Sequence, residues 1–262
     1  MSHALEAVLR RDRAIVGAGL AGIVVLAWLY LLHMAGAVSE IEMHAAMGMA
    51  TPQMQSWGVV DLFLLFLMWA VMMVAMMVPS AAPMILMFTA INRRRSEQQG
   101  PVVRTGIFVL GYLIAWTSYS ALAVPAQWGL HCAAVLSPMM TTTSRYLGGG
   151  LLIGAGIFQW TSLKDACLTT CRSPLAFLMG EWREGATGAL VMGFRHGAYC
   201  VGCCWVLMAL LFVAGVMNLV WVAAIAAFVL VEKVVPGGQR ISRVGGVVLV
   251  VAGAFLLTQL WR

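Results

Sequence analysis

Charge is what this sequence has least of. Only 10% of its 262 residues are Asp, Glu, Lys or Arg, against roughly 25% in an ordinary soluble domain, while 62% are hydrophobic. So few charges cannot cover a water-facing surface, which excludes a soluble globular protein. No stretch between the apolar blocks is long enough for a separate soluble domain, and there is no low-complexity linker or convincing internal repeat. A Gly-rich phosphate loop and a dinucleotide fingerprint are also missing, so nothing in the chain points to ATP-driven or nucleotide-linked chemistry. The net charge of +6 comes from short basic clusters that form no continuous patch, which argues against a nucleic-acid partner.

What is present is a series of apolar blocks of about 17 to 25 residues, the length a helix needs to cross ~30 Å of hydrocarbon. The pattern predicts an all-α polytopic transmembrane helix bundle of about seven spans, at 14–37, 59–90, 105–128, 146–163, 187–214, 218–235 and 244–260, forming a single integral membrane domain over 1–262. Arg10, Arg11 and Arg13 precede the first block. That block is longer than the ~7–15 residues of a signal-peptide core, so Ala35-Gly36-Ala37 is read as part of an uncleaved span and not as a cleavage site. Thirteen of the 16 Lys and Arg residues fall in alternate loops on one side, two on the other, and Arg195 lies within a span. By the positive-inside rule this predicts a cytoplasmic N-terminus and a periplasmic C-terminus in a bacterial inner membrane. The fourth span carries Gly148-Gly149-Gly150 and Gly154-x-Gly156, which weaken a lone helix but let two helices pack closely in lipid.

Four clusters are candidates for chemistry. The first is Arg195-His196-Gly197-Ala198-Tyr199-Cys200-Val201-Gly202-Cys203-Cys204-Trp205 in the fifth block. Polar and charged groups at that depth are costly, and are expected to face the bundle interior. Helical spacing puts Cys200, Cys203 and Cys204 on one face, with His196 a turn earlier. Thiolate and imidazole are ligands for Cu(I) and for Zn(II), and one helix rarely supplies a whole site, so other helices must complete it. Set against this, free Cys packs as a small buried hydrophobe.

The second cluster, Lys164-Asp165-Ala166-Cys167-Leu168-Thr169-Thr170-Cys171-Arg172, places Cys167 and Cys171 one helical turn apart at the cytoplasmic side. It is either a two-thiolate site, its pKa values lowered by Lys164 and Arg172, or a pair of reduced surface thiols. The third is an outer loop with Met43, His44, Met47 and Met49. Thioethers and imidazole bind soft Cu(I) where free thiols do not survive, whereas an interfacial turn needs Met only to dip into lipid. The fourth is the second span, in which Met68, Met72 and Met76 form one stripe and Met73 and Met77 a neighbouring one. Met is ordinary core filler, yet ten of the 19 Met residues lie between Met43 and Met84. Pro79 and Pro83 are expected to kink or break this span. Asp61, and Glu232 beside Lys233, read as interfacial charges. His131-Cys132 faces outside and has no obvious disulfide partner.

The stretch Trp69-x-x-Met72-Met73-x-Ala75-Met76-Met77-x-Pro79, the pair Lys164-x-x-Cys167-x-x-x-Cys171, the core Gly197-x-Tyr199-Cys200-x-Gly202-Cys203-Cys204-Trp205 with Leu207-Met208, and Glu232-Lys233 resemble a bacterial family. Its members are catalogued as predicted metal-binding integral membrane proteins of unknown function, some labelled copper chaperones. The resemblance runs from about residue 57 to 240 and implies metal binding. The leading expectation is a protein that stores, moves or delivers Cu(I), with zinc as the second candidate metal. Met43, His44, Met47 and Met49 collect the ion, and Met72, Met73, Met76 and Met77 relay it. Cys200, Cys203 and Cys204 hold it with His196, and Cys167 and Cys171 pass it on inside, while Arg195, Tyr199 and Lys164 support the site. Besides the lipid bilayer, the partner implied is a periplasmic or membrane metalloprotein acceptor, and no enzymatic activity is expected. One alternative is a membrane subunit of a redox enzyme or thiol-disulfide system using the same Cys cluster, and another is a structural subunit in which Cys and Met merely pack. If there is an active centre, it is expected between the second and fifth spans.

Overall fold

A chain surrounded by hydrocarbon must satisfy its own backbone hydrogen bonds, and a helix does so within one segment. The computed structural model describes residues 3–46, 57–95, 101–132 and 144–258. Among them the regular structure is entirely helical: α1 His3–Ala46, α2 Val59–Arg95, α3 Pro101–Cys132, α4 Arg145–Phe158, α5 Ser162–Arg172, α6 Pro174–Glu181, α7 Gly185–Ala209, α8 Leu211–Ala214, α9 Leu219–Val234 and α10 Gly238–Thr258. Five segments are long and apolar enough to cross a membrane: Arg10–Ala37, Val59–Arg95, Val102–Cys132, Gly185–Ala214 and Gly238–Thr258. The protein is an all-helical membrane protein.

The other two expected spans are short. Helix α4 has 14 residues and α9 has 16, reaching about 21 and 24 Å at ~1.5 Å per residue, less than the ~30 Å of a hydrocarbon core. The fourth was expected to run to 163, but the chain turns after Phe158. Thr161 then starts α5, its side chain accepting from the Lys164 amide. The segment after 37, expected as a loop, continues α1 to Ala46. Met43 and His44 therefore sit near a helix end, but their side chains lie outside the described residues, as do Met47 and Met49 altogether. Helix α2 runs unbroken through Pro79 and Pro83. Ser80 Oγ, between the two prolines, and Tyr112 OH both donate to the Met77 carbonyl, at 2.9 and 3.0 Å.

Two glycine-mediated contacts set the packing. On α4, Gly149 and Gly156 face Gly253 and Gly246 of α10, and a Cβ at Gly246 would lie 2.8 Å from the Gly156 carbonyl oxygen. Of the fourth span's glycines, Gly149 and Gly156 therefore serve close helix packing, whereas Gly150 and Gly154 face open space. Helix α7 lies on α3 in the same way, with Gly193 against the Phe108 carbonyl and Gly197 against Ala115 and the Tyr112 backbone. A methyl at Gly193 overlaps backbone, which cannot swing aside as a side chain can. Gly193→Ala is therefore expected to push α7 off α3 and cost about 1–3 kcal/mol, read as a lower thermal unfolding midpoint in detergent.

Candidate metal centre

The intimate α3–α7 contact fixes where the polar stripe of α7 goes. His196, Cys200, Cys203 and Cys204 are all buried on its inner face, as the i, i+3, i+4 spacing requires. Helix α5 packs across this face and brings Cys171, whose Sγ lies 3.9 Å from Cys203 Sγ. Cys203 Sγ is in turn 3.3 Å from Cys204 Sγ and donates to the Cys200 carbonyl at 3.2 Å. Cys167 Sγ sits over Gly202, where a Cβ would stand 2.8 Å away, so the missing side chain there makes room for this thiol. All of these cysteines are free thiols.

Cys200 is held from two further helices. Tyr112 of α3 places its hydroxyl 3.1 Å from Cys200 Sγ. Lys233 of α9 donates to the same sulfur at 2.8 Å and to Ser80 Oγ of α2 at 3.3 Å. The sequence holds two lysines, Lys164 and Lys233, and both are buried. Lys164 is fully enclosed, its Nζ lying 2.7 and 3.0 Å from the two carboxylate oxygens of Glu232. That pairing leaves Lys233 without a carboxylate, and a buried ammonium must be paired or neutralised. The group it meets is the Cys200 sulfur.

Glu232 and Lys233, expected as interfacial charges, thus lie in the interior. The centre is not confined to α2 and α7, because α3, α5 and α9 each contribute a polar group to it. Lys164 turns away from the α5 thiols toward Glu232, and Arg172 donates to the carbonyls of Glu232 and Val235 at 2.6 and 2.8 Å. Neither cation activates the α5 thiols as expected, and burial pushes the Cys167 thiol pKa up. Arg195 is partly exposed and paired with Glu181 of α6, so it does not face the interior. Tyr199 packs edge-on against Phe177, centroids 6.3 Å apart.

His196 stands among the rings of Phe108, Tyr112 and Phe177, at centroid distances of 6.3, 5.8 and 5.5 Å. Its Nδ1 is buried with no hydrogen-bond partner. An unpaired buried nitrogen is costly and is a feature that a ligand would satisfy. Met68, Met72, Met73, Met76 and Met77 are all buried on α2. At the other end of that helix, Asp61 Oδ2 accepts from the Gly58 amide at 2.8 Å, in keeping with a helix-terminal role. His131 stacks on Trp57 at 4.4 Å, and Cys132 is exposed.

Whether these residues suit a soft metal ion is a question of reach. Two sulfurs sharing an ion at about 2.3 Å each can be at most ~4.6 Å apart, and the separations of 3.9 and 3.3 Å fall inside that limit. Among the described residues no three Cys, His, Asp or Glu side chains are set around a common point as a ready-made metal cage. The donors are gathered side by side, and binding requires side-chain rotation.

No curated protein and no solved structure matches the chain. A family model described as a copper chaperone, PpoB2, matches residues 66–256, a stretch that includes the α2 methionines, both α5 cysteines, the α7 cluster and Lys233. The chain belongs to the PpoB2 copper chaperone family.

Proposed function

We propose that this protein binds Cu(I) as cargo within the membrane and hands it to an acceptor metalloprotein. The observation that carries the reading is the meeting of Cys171 from α5 with Cys203 and Cys204 from α7, next to Cys200 and the unpartnered Nδ1 of His196. Soft thiolates with one imidazole suit Cu(I). In this reading Cys200, Cys203, Cys204 and Cys171 hold the ion with His196. Met72, Met73, Met76 and Met77 pass it along α2 by exchange between weak thioether sites, with Met43, His44, Met47 and Met49 collecting it and Cys167 serving its release. The chain occupies a bacterial inner membrane as one domain with the N-terminus cytoplasmic and the C-terminus periplasmic, α4 and α9 counting as short spans. The sequence carries no nucleotide-binding motif, so direction comes from a gradient or from the acceptor.

Anaerobic loading of the purified protein with Cu(I) tests this. The expected result is tightly bound copper in the native protein and its loss in the combined Cys200→Ser, Cys203→Ser, Cys204→Ser variant. Equal copper in the two overturns the reading. The close Cys171–Cys203 and Cys203–Cys204 sulfur pairs also favour a second reading, thiol-disulfide exchange. A thiol set that stays fully reduced when the protein is equilibrated with mild oxidant, read by alkylation and mass spectrometry, removes it.

A further inference from the structure

At the N-terminal end of α2, a cleft of about 260 Å³ is walled by Met34 of α1, Trp57, Asp61 and Met68 of α2, and Met217 in the turn between α8 and α9. At ~30 Å³ per water, it takes an ion together with ligands the ion arrives with. Three of the seven residues lining it are methionine. Met is usually explained as a flexible gap-filler, but these three border a gap that they leave open. Leucine would wall an apolar cleft equally well, and only Met adds a soft donor.

We infer that this cleft is the port through which Cu(I) enters the protein, with Met34, Met68 and Met217 as thioether donors and the Asp61 carboxylate supplying negative charge at its mouth. The inference rests on the copper reading above and adds a site to it. Three elements distant in sequence each bring a methionine to one concavity, which a stripe on one helix does not do. Trp57 forms one wall, and its ring is steadied by the stack on His131. The port also has a continuation. Met68 is followed by Met72 and Met76 in steps of ~6 Å along the helix axis. Beside Met76, the Met77 carbonyl accepts from Tyr112, whose hydroxyl lies 3.1 Å from Cys200 Sγ. Met68, which lines the cleft, is thus the first of the buried methionines that lead along α2 toward the Cys cluster. Met donors also suit a compartment where free thiols are oxidised.

Methionine footprinting with Ag(I), a redox-inert surrogate for Cu(I), tests the port. The full-length protein in detergent is treated with dilute hydrogen peroxide, and oxidation of Met34 and Met217 is followed by mass spectrometry. With free Ag(I) at about ten times the dissociation constant, oxidation of both is expected to slow about tenfold by occupancy. The same protection is expected in the Cys200→Ser, Cys203→Ser, Cys204→Ser variant, because the port does not need the Cys cluster. Met68→Leu keeps the volume and removes the buried sulfur, and is expected to abolish the protection. If its metal-free oxidation pattern shows misfolding, Asp61→Asn at the exposed mouth replaces it, with weaker protection expected. Unchanged oxidation of Met34 and Met217 with Ag(I), or full protection in the folded variant, overturns the port. Protection of the port together with undiminished copper in the triple Cys variant sinks the Cys-cluster reading and leaves the port standing.

Discussion

Glu232→Gln is expected to destabilise the protein by about 3–5 kcal/mol, because it leaves the Lys164 ammonium buried without its counter-charge. Both side chains are fully enclosed, and the ammonium lies 2.7 Å from one carboxylate oxygen. Among the described residues Glu232 is the one acid paired with it. The pair also ties α5 to α9, and those two helices carry Cys171 and Lys233. Its loss should therefore loosen the Cys171–Cys203 and Lys233–Cys200 contacts before the bundle as a whole unfolds. Replacing both partners, Lys164→Met with Glu232→Leu, removes two buried charges together and is expected to be far milder, since no orphan remains. Unfolding in graded mixtures of mild detergent and dodecyl sulfate measures both. A double variant as unstable as the single one would show that the pair's shape, and not its charge balance, holds the two helices.

The helical character and the inward stripe of α7 were legible because one element carries the whole signal. Apolar runs of spanning length point to helices, and the 3.6-residue period places His196, Cys200, Cys203 and Cys204 together without knowledge of any neighbour. What completes the centre was not legible. Cys171 meets Cys203 across 32 residues of chain, Lys233 meets Cys200 across 33, and Tyr112 meets Cys200 across 88. Spacing within one helix says nothing about such pairs. Glu232 and Lys233 look interfacial because they close a 16-residue helix, but their side chains turn inward from an exposed helix end, where Arg172 takes the carbonyls of Glu232 and Val235. One signal did exist: against 14 arginines the sequence has two lysines, and both belong to the interior. Arg195 misled for the opposite reason. It sits in an apolar block, yet α6 folds back and offers Glu181, so the guanidinium needs no interior partner.

Lys233→Met is expected to weaken Cu(I) binding by roughly 10–100-fold, the usual cost of losing a group that supports metal ligands from outside. A monovalent ion on two thiolates carries one negative charge, and enclosing that charge in a low-dielectric interior is costly unless a cation accompanies it. The Lys233 ammonium, 2.8 Å from Cys200 Sγ, brings the assembly to neutrality. The substitution is also a clean one for the fold. Without the ammonium, Cys200 is left as a neutral thiol facing Tyr112, and no charge is stranded, unlike Glu232→Gln. Ser80→Ala removes only the weaker 3.3 Å contact to Lys233 and is expected to change affinity little. Competition against a Cu(I) chelator of known affinity measures all three proteins. Native affinity in a folded Lys233→Met variant would show that the ammonium is not the counter-ion, and that charge balance in the centre comes from protonated thiols.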